Sequence, residues 1–219
     1  MFEHIKGAIF DLDGTLVDSM WIWSRIDEDF IERNGLGISP AELMKDVAHF
    51  SFSETASHFK KTYGIQESLE EIQNFWIQEA EKQYSTNIFL KPGARSFLEK
   101  LKARGVRMAV ATSNTRHLMS VSLQANGIQD FFQATVTTDE TQARSKSRPD
   151  VYLLAASKLG LQPEELVVFE DIPHAMQGAR RAGMKVVGIW DEHTNLSEEE
   201  AGSLCDLYIR DYNELLAEV

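Results

Sequence analysis

The stretch FDLDGTLVDS, residues 10–19, ends a short apolar run with two aspartates, Asp11 and Asp13. Residues i and i+2 of an extended chain project to the same side, so we expect both carboxylates to face one point. Like charges this close need a cation or a shared proton, which a hard divalent ion or one protonatable carboxylate supplies. A turn is the alternative interpretation, because Asp-x-Asp-Gly is a common turn composition and because Asp11 or Asp18 is suited to capping a helix.

Short apolar or β-branched runs recur along the chain and alternate with helical patterns, as is typical of strands buried on both faces of a parallel sheet. The predicted strands are Ile5–Phe10, Val106–Ala111, Leu166–Phe169, Lys185–Ile189 and Leu207–Ile209. The predicted helices between them are Gly93–Arg104, Thr115–Asn126, Pro149–Leu159 and His174–Ala182. This alternation predicts an α/β fold with a doubly wound, Rossmann-like parallel sheet.

The alternation is interrupted between residues 17 and 88, where amphipathic helical stretches replace the strands. They are Met20–Arg33, Ser53–Tyr63 and Leu69–Tyr84. Pro92 marks the return to the α/β pattern, because a proline disfavours helix in the residue before it. We predict an α/β core of residues 1–16 and 89–219 and a smaller helical cap domain of residues 17–88, inserted after the first strand.

Polar residues follow the second predicted strand, at the start of a helix. They are Thr112, Ser113 and Asn114. Hydroxyl and N–H groups at a helix start suit an anion, and Thr112 is the residue that we favour for function. Ordinary helix capping by Ser113 or Asn114 is the alternative.

Charged residues follow two later segments of the α/β pattern. Lys146 lies in the loop SKSRPDVY, and Glu170 and Asp171 follow the strand LVVF. Open α/β sheets bind ligands at the carboxyl ends of their strands, so we expect these groups at one edge of the sheet with the first aspartate pair. A solvated surface lysine is the alternative interpretation of Lys146.

Composition limits the classes of partner. The chain has 219 residues, of which 34 are Asp or Glu and 22 are Lys or Arg, and its net charge of −12 repels nucleic acid and anionic lipid. It has one cysteine, which excludes an internal disulfide, and its first residues lack the apolar run of a signal peptide. We therefore expect a cytoplasmic protein with no nucleic-acid or membrane partner; the sequence is compatible with a monomer but does not determine the oligomeric state.

Four motifs in chain order resemble those of the haloacid dehalogenase-like superfamily: FDLDGTLVDS, VATSN, SKSRPDVY and VVFEDIPHAMQGARRAGM. The resemblance spans essentially the whole chain. Within the superfamily, the helical insertion after the first motif is similar to the caps of phosphoglycolate-phosphatase-like and β-phosphoglucomutase-like members. The resemblance implies a phosphatase that hydrolyses a small phosphomonoester through an aspartyl-phosphate.

The resemblance also implies catalytic roles. Asp11 is the expected nucleophile, and Asp13 is the general acid that protonates the leaving alcohol and then the base that activates water. Thr112 is expected to hydrogen-bond the transferring phosphoryl group. Lys146 is expected to neutralise the phosphoryl oxygens and to orient Asp11.

Binding roles follow from the same resemblance. The residues implied in phosphate or substrate binding are Gly14, Ser113 and Asn114. Mg²⁺ is the implied cofactor, since it prefers oxygen ligands. Its implied ligands are the Asp11 side chain, the Asp13 main-chain carbonyl, Asp171 and, directly or through water, Glu170.

The site and cap residues distinguish three possible functions: a phosphatase, a mutase and a regulatory module. Dehalogenases lack the second aspartate, so Asp13 favours phosphate chemistry. β-Phosphoglucomutase-like proteins carry a cap histidine where this chain has Trp23, and a cap-loop arginine near the position of Phe52, which favours a phosphatase over a mutase. A regulatory module that binds a metal without catalysis is the third alternative, and the intact set of Asp11, Asp13, Lys146 and Asp171 argues against it.

Substrate specificity is expected to depend on the cap. His49, Phe50 and Phe52 occupy an irregular stretch with polar neighbours between two predicted cap helices, where a specificity loop is expected. We predict that His49 and Phe52 bind substrate, the alternative being that these aromatic residues only anchor the loop. The identity of the substrate is not determined by the sequence.

Overall fold

The computed structural model describes residues 2–39, 42–43, 52–142, 145–194 and 196–218, with only the main chain described for Glu3, Phe52 and Ser53. The chain divides into two compact units, Met1–Ser19 together with Ile88–Val219, and Met20–Asn87. Residues 17–19 and 88, which the sequence places in the cap, therefore belong to the first unit. The reason is local pairing: Val17 bridges to Leu90, and the Asp18 amide donates to the Phe89 carbonyl at 3.0 Å.

The first unit is built on a sheet of six parallel strands in the order β3-β2-β1-β4-β5-β6. The strands are β1 (Gly7–Phe10), β2 (Arg107–Thr112), β3 (Ala134–Thr137), β4 (Leu166–Glu170), β5 (Lys185–Ile189) and β6 (Leu207–Ile209). This sheet confirms the predicted α/β, doubly wound fold. Sequence analysis missed β3, because this short edge strand is only half-buried over its first two residues and so has a weak apolar pattern.

Five helices of the first unit accompany the sheet: α4 (Ala94–Ala103), α5 (Arg116–Ala125), α6 (Asp150–Leu159), α7 (Pro173–Arg181) and α8 (Glu198–Leu204). Short 3₁₀ turns lie at Phe2–His4, Gln129–Phe131, Thr138–Glu140, Pro163–Glu165 and Tyr212–Leu215. The helix α8 was not predicted, because EEEAGSL buries only Ala201 and has no apolar periodicity. Its start depends instead on a capping box between Ser197 and Glu200.

The strands are buried on both faces because alternate side chains enter two apolar clusters. Ile9 and Val168 belong to a cluster that helices α6, α7 and α8 also supply. Their neighbours Phe10 and Phe169 stack on the other face with ring centroids 4.5 Å apart, and Phe97 of α4 lies 5.4 Å from Phe169. This two-sided burial explains the nearly continuous apolar runs of β1 and β4.

The register of the sheet aligns the carboxyl end of β1 with the carboxyl-terminal parts of β2 and β4. Phe10, the last residue of β1, is aligned with Val110 of β2 on one side and with Phe169 of β4 on the other. The residues that follow Phe10 and Phe169 along the chain therefore emerge side by side at the carboxyl edge of the sheet. This edge is where an open α/β sheet binds its ligands.

The second unit contains three described helices, α1 (Trp21–Asn34), α2 (Phe52–Tyr63) and α3 (Leu69–Thr86). Each contributes aromatic side chains to its core, where Phe30, Phe59 and Trp76 lie with ring centroids 5.6–5.8 Å apart. Burial raises the pKa of Asp27, which lies on α1, to about 7.

Among the described residues of both units, no helix has the length and apolar character needed to cross a membrane.

Candidate active site

The chain turns sharply after β1. The Asp11 amide donates to the Phe169 carbonyl at 3.0 Å, which continues the pairing with β4, and the Gly14 amide donates to the Val17 carbonyl at 3.0 Å. Gly14 has a φ of 77°, a conformation that glycine adopts without steric cost. Helix α1 begins at Trp21 with Met20 at its N-cap position, so Asp18 is not the N-cap residue.

Three carboxylates meet at the carboxyl edge of the sheet. Asp11, Glu170 and Asp171 each offer an oxygen within 4.8 Å of the others, and all three residues are at most 5% exposed. The Lys146 ammonium forms ion pairs with Asp11 and with Glu170, the latter at 2.6 Å. When all four groups are ionised, the cluster has an excess of two negative charges.

The charges of this cluster shift its pKa values. Burial alone lowers the pKa of Lys146, but Asp11 and Glu170 outweigh it and raise the pKa above its usual value. Burial, followed by the charge of Asp11, raises the pKa of Glu170 and of Asp171 above the usual range of carboxyl groups. The lysine is therefore charged at neutral pH, and it does not by itself stabilise three ionised carboxylates.

The oxygen atoms of the cluster fit a divalent cation. Glu170 Oε2 and Asp171 Oδ2 are buried and have no hydrogen-bond partner among the described residues. Buried carboxylate oxygens without a partner cost free energy, and hard cations such as Mg²⁺ bind such oxygens. The side chains of Asp11, Glu170 and Asp171, which the sequence predicts as ligands, are thus brought together.

Asp13 is not one of the three clustered carboxylates, and its side-chain oxygens accept hydrogen bonds from other side chains. Ser19 Oγ donates to its Oδ1 at 2.7 Å, and Asn114 Nδ2 donates to its Oδ2 at 2.9 Å. Asp13 is also more exposed than Asp11, being half-buried. The two aspartates of the first motif therefore have different surroundings, as a nucleophile and an acid–base group require.

The polar residues after β2 differ in position. Thr112 is fully buried, and its Oγ1 accepts a hydrogen bond from the Asn114 amide at 3.0 Å. Ser113 is exposed. The capping alternative for Ser113 or Asn114 is wrong, because Thr115 caps α5 by accepting from the Leu118 amide at 3.2 Å.

Lys146 is buried, so the alternative of a solvated surface lysine is wrong. Its loop lies against α7, where a Cβ atom added to Gly178 would come within 1.9 Å of the Lys146 carbonyl oxygen. A larger residue at position 178 would therefore displace the main chain that carries the lysine. Glycine at this position permits the close approach.

Three residues of this region were missed by sequence analysis. Thr15 Oγ1 donates to Asp171 Oδ1 at 3.0 Å, Ser19 contacts Asp13 as described above, and Tyr152 donates to Glu170 Oε1 at 2.8 Å. Thr15 and Ser19 lie within the first motif, FDLDGTLVDS, so their position in the sequence could have identified both as residues of the site. Tyr152 had no such signal, because a tyrosine in an apolar helix is normally a core residue.

The predicted cap residues are not located. His49 and Phe50 lie outside the described residues, and Phe52 is described only in its main chain, as the first residue of α2. Their predicted role in substrate binding stays a prediction.

Comparison with known proteins identifies the family. The sequence profile of haloacid dehalogenase-like hydrolases matches residues 8–189. Hexitol phosphatase A of Escherichia coli (strain K12) is 30% identical over 84% of this chain and 82% of its own. The phosphorylated carbohydrates phosphatase of Thermotoga maritima is 26% identical over 83% of each chain.

A solved structure supports the fold. The crystal structure of CbbY from Rhodobacter sphaeroides in complex with phosphate has a TM-score of 0.78 and 23% identity, and the match covers 96% of each chain. The profile match extends from β1 to the end of β5, and so includes every residue of the carboxylate cluster. The chain therefore belongs to the haloacid dehalogenase-like hydrolase family and is a phosphatase.

Proposed function

We propose that the protein hydrolyses a small phosphomonoester through an aspartyl-phosphate on Asp11, with Mg²⁺ as cofactor. The observation that carries the proposal is the buried cluster of three carboxylates and one lysine, whose two excess negative charges a divalent cation would balance. The names of the two relatives favour a phosphorylated sugar or sugar alcohol as the substrate. We assign the helical unit, residues 20–87, the role of the cap that selects the leaving group.

Each residue would act in one of two steps. An oxygen of Asp11 attacks phosphorus, the bond to the leaving alcohol breaks, and Asp13 gives that alcohol its proton. Asp13 then takes a proton from the water that attacks the aspartyl-phosphate, which releases phosphate and restores Asp11. When bound, Mg²⁺ would be held by Asp11, Glu170 and Asp171 and would supply positive charge for the phosphoryl oxygens.

Two further residues would stabilise the phosphoryl group. Thr112 accepts from the Asn114 amide, which leaves its own hydroxyl hydrogen to donate to a phosphoryl oxygen. Lys146 orients Asp11 through their ion pair and adds positive charge beside the site of attack. Binding of Mg²⁺ by the Asp13 carbonyl and of phosphate by Gly14 and Ser113 is part of the same proposal.

Phosphate release from a panel of small phosphomonoesters tests this function. We expect release with Mg²⁺ at neutral pH, and a rate at least about 100-fold lower after treatment with EDTA, because a catalytic cation stabilises the transition state by several kcal/mol. Readdition of Mg²⁺ should restore the rate. The panel includes hexitol phosphates and β-glucose 1-phosphate, the latter also followed for its 6-phosphate product. Isomerisation without release would indicate a mutase, and no turnover of any kind would favour the regulatory module.

Asp13→Asn tests the acid–base role. With an alkyl phosphate we expect kcat to fall by roughly 10²- to 10³-fold, because the leaving alcohol is no longer protonated. p-Nitrophenyl phosphate needs no such proton, so the variant should give one rapid burst of nitrophenolate followed by slow turnover, since hydrolysis of the aspartyl-phosphate still lacks its base. Rapid-quench measurements compare the two substrates. An equal loss in the first turnover of both would contradict the role.

A further inference from the structure

Tyr152 connects the apolar interior to the carboxylate cluster. It lies in the first turn of α6, and its ring is fully buried in the apolar cluster that also contains Val168 and Met176. Its hydroxyl lies 2.8 Å from Glu170 Oε1 and 3.1 Å from the Ala175 carbonyl oxygen. The side chain is thus anchored by its ring, with its polar end directed at a carboxylate of the cluster.

The hydroxyl has one hydrogen to donate. Ala175 lies in α7, where the helix already provides its carbonyl with a donor. Glu170 Oε1 is closer and carries charge when ionised, and hydrogen bonds to charged acceptors are the stronger ones. Donation to Glu170 is therefore favoured.

The two oxygens of Glu170 have different surroundings. Oε1 accepts hydrogen bonds from the Tyr152 hydroxyl and from the Lys146 ammonium, the latter at 2.6 Å. Oε2 has no hydrogen-bond partner among the described residues. Lys146 is also shared with Asp11 and so does not fix Glu170 alone. Two donors on the same oxygen restrain the rotation of the carboxylate and leave Oε2 available.

We propose that Tyr152 is a positioning residue for the divalent cation: it holds Glu170 by Oε1 so that Oε2 is directed to the cation site formed with Asp11 and Asp171. This inference rests on the proposed function, because it concerns the same cation. Partners of a ligand carboxylate typically contribute 10- to 100-fold to metal affinity. Tyr152 would be such a partner, supplied by a core helix.

Tyr152→Phe tests the proposal because it removes the hydroxyl and keeps the buried ring. We expect Mn²⁺, titrated into chelator-treated protein and followed by electron paramagnetic resonance, to bind about 10-fold more weakly. The Mg²⁺ concentration needed for half-maximal activity should rise by a similar factor, while kcat at saturating Mg²⁺ stays unchanged. Thermal unfolding of the metal-free variant checks the fold.

Tyr208→Phe is the matched control. Tyr208 packs against the same apolar cluster and donates to a main-chain carbonyl, that of Leu196, at 3.2 Å. Its removal should leave Mn²⁺ affinity unchanged.

Three outcomes contradict the inference. They are equal Mn²⁺ affinity in Tyr152→Phe and the unmodified protein, a loss confined to kcat at saturating metal, and a Tyr152→Phe protein that does not fold, which would assign the hydroxyl a purely structural role. Failure of the proposed function is distinguishable, since then the unmodified protein itself would neither bind Mn²⁺ at this site nor release phosphate.

Discussion

Replacing Asp11 with asparagine is expected to lower kcat by roughly 10⁴-fold or more, the scale of loss seen when a catalytic nucleophile is removed. Asparagine has nearly the same shape as aspartate, but its amide does not attack phosphorus. The rest of the site should remain in place, because Lys146 keeps its ion pair with Glu170 and Thr15 keeps its hydrogen bond to Asp171. The loss would therefore be chemical.

The folded state should tolerate this change, or become more stable. Asp11→Asn removes one of three crowded carboxylates, so the melting temperature of the metal-free protein should stay the same or rise. Phosphate release and thermal unfolding are measured on the same sample. Asp130→Asn, at an exposed position in a 3₁₀ turn, is the control and should change neither quantity. Turnover by Asp11→Asn at a rate close to that of the unmodified protein would overturn the covalent mechanism.

Replacing Lys146 with methionine is expected to damage both activity and stability. Methionine fills similar space without charge, and so leaves the buried carboxylates of Asp11 and Glu170 without their ammonium partner. Removing one partner of a buried ion pair costs about 3–5 kcal/mol in the free energy of unfolding. Activity should fall by roughly 10³-fold, because the transition state loses a fixed positive charge. Denaturant unfolding and phosphate release measure the two effects.

Lys91→Met separates the two effects. Lys91 is a second buried lysine of the same unit and forms an ion pair with Asp191 at 2.8 Å, outside the carboxylate cluster. Its replacement should also destabilise the protein, but at temperatures where both variants are folded it should retain normal turnover. If the two variants lost activity equally under those conditions, the special role of Lys146 would be refuted.

Much of the core fold is predictable from the sequence because parallel strands buried on both faces leave apolar runs that polar loops interrupt. The carboxylates were found for a related reason: Asp11 directly follows one such run, the pair Glu170 and Asp171 follows another, and parallel strands end at one edge. Lys146 lies in the loop between β3 and α6, and because β3 was not predicted, only the motif of Lys146 pointed to the site.

The features that sequence analysis missed depend on contacts that the spacing of apolar residues does not reveal. The edge strand β3, with the sequence ATVT, has no continuous apolar run, and α8 begins by capping rather than by apolar spacing. Tyr152 resembles any core tyrosine until α6 is placed on the sheet, where the tyrosine hydroxyl reaches Glu170. Capping of α5 by Ser113 or Asn114 was the alternative interpretation, whereas the structure uses Thr115, because the polar run extends beyond the end of β2 before the helix begins.

The central place of β1 in the sheet also governs how the protein is made. Thr15 and Asp171 are hydrogen-bonded although they are 156 positions apart, so a ribosome adding about 5–20 residues per second needs roughly 8 to 30 seconds between them. Until β4 is synthesised, β1 has at most β2 as a pairing partner, and its other side is an open apolar edge. Asp11 and Lys146 are synthesised well before Glu170 and Asp171. The active site is therefore completed late in synthesis. When the protein is refolded, the return of activity reports that β4 has joined the sheet.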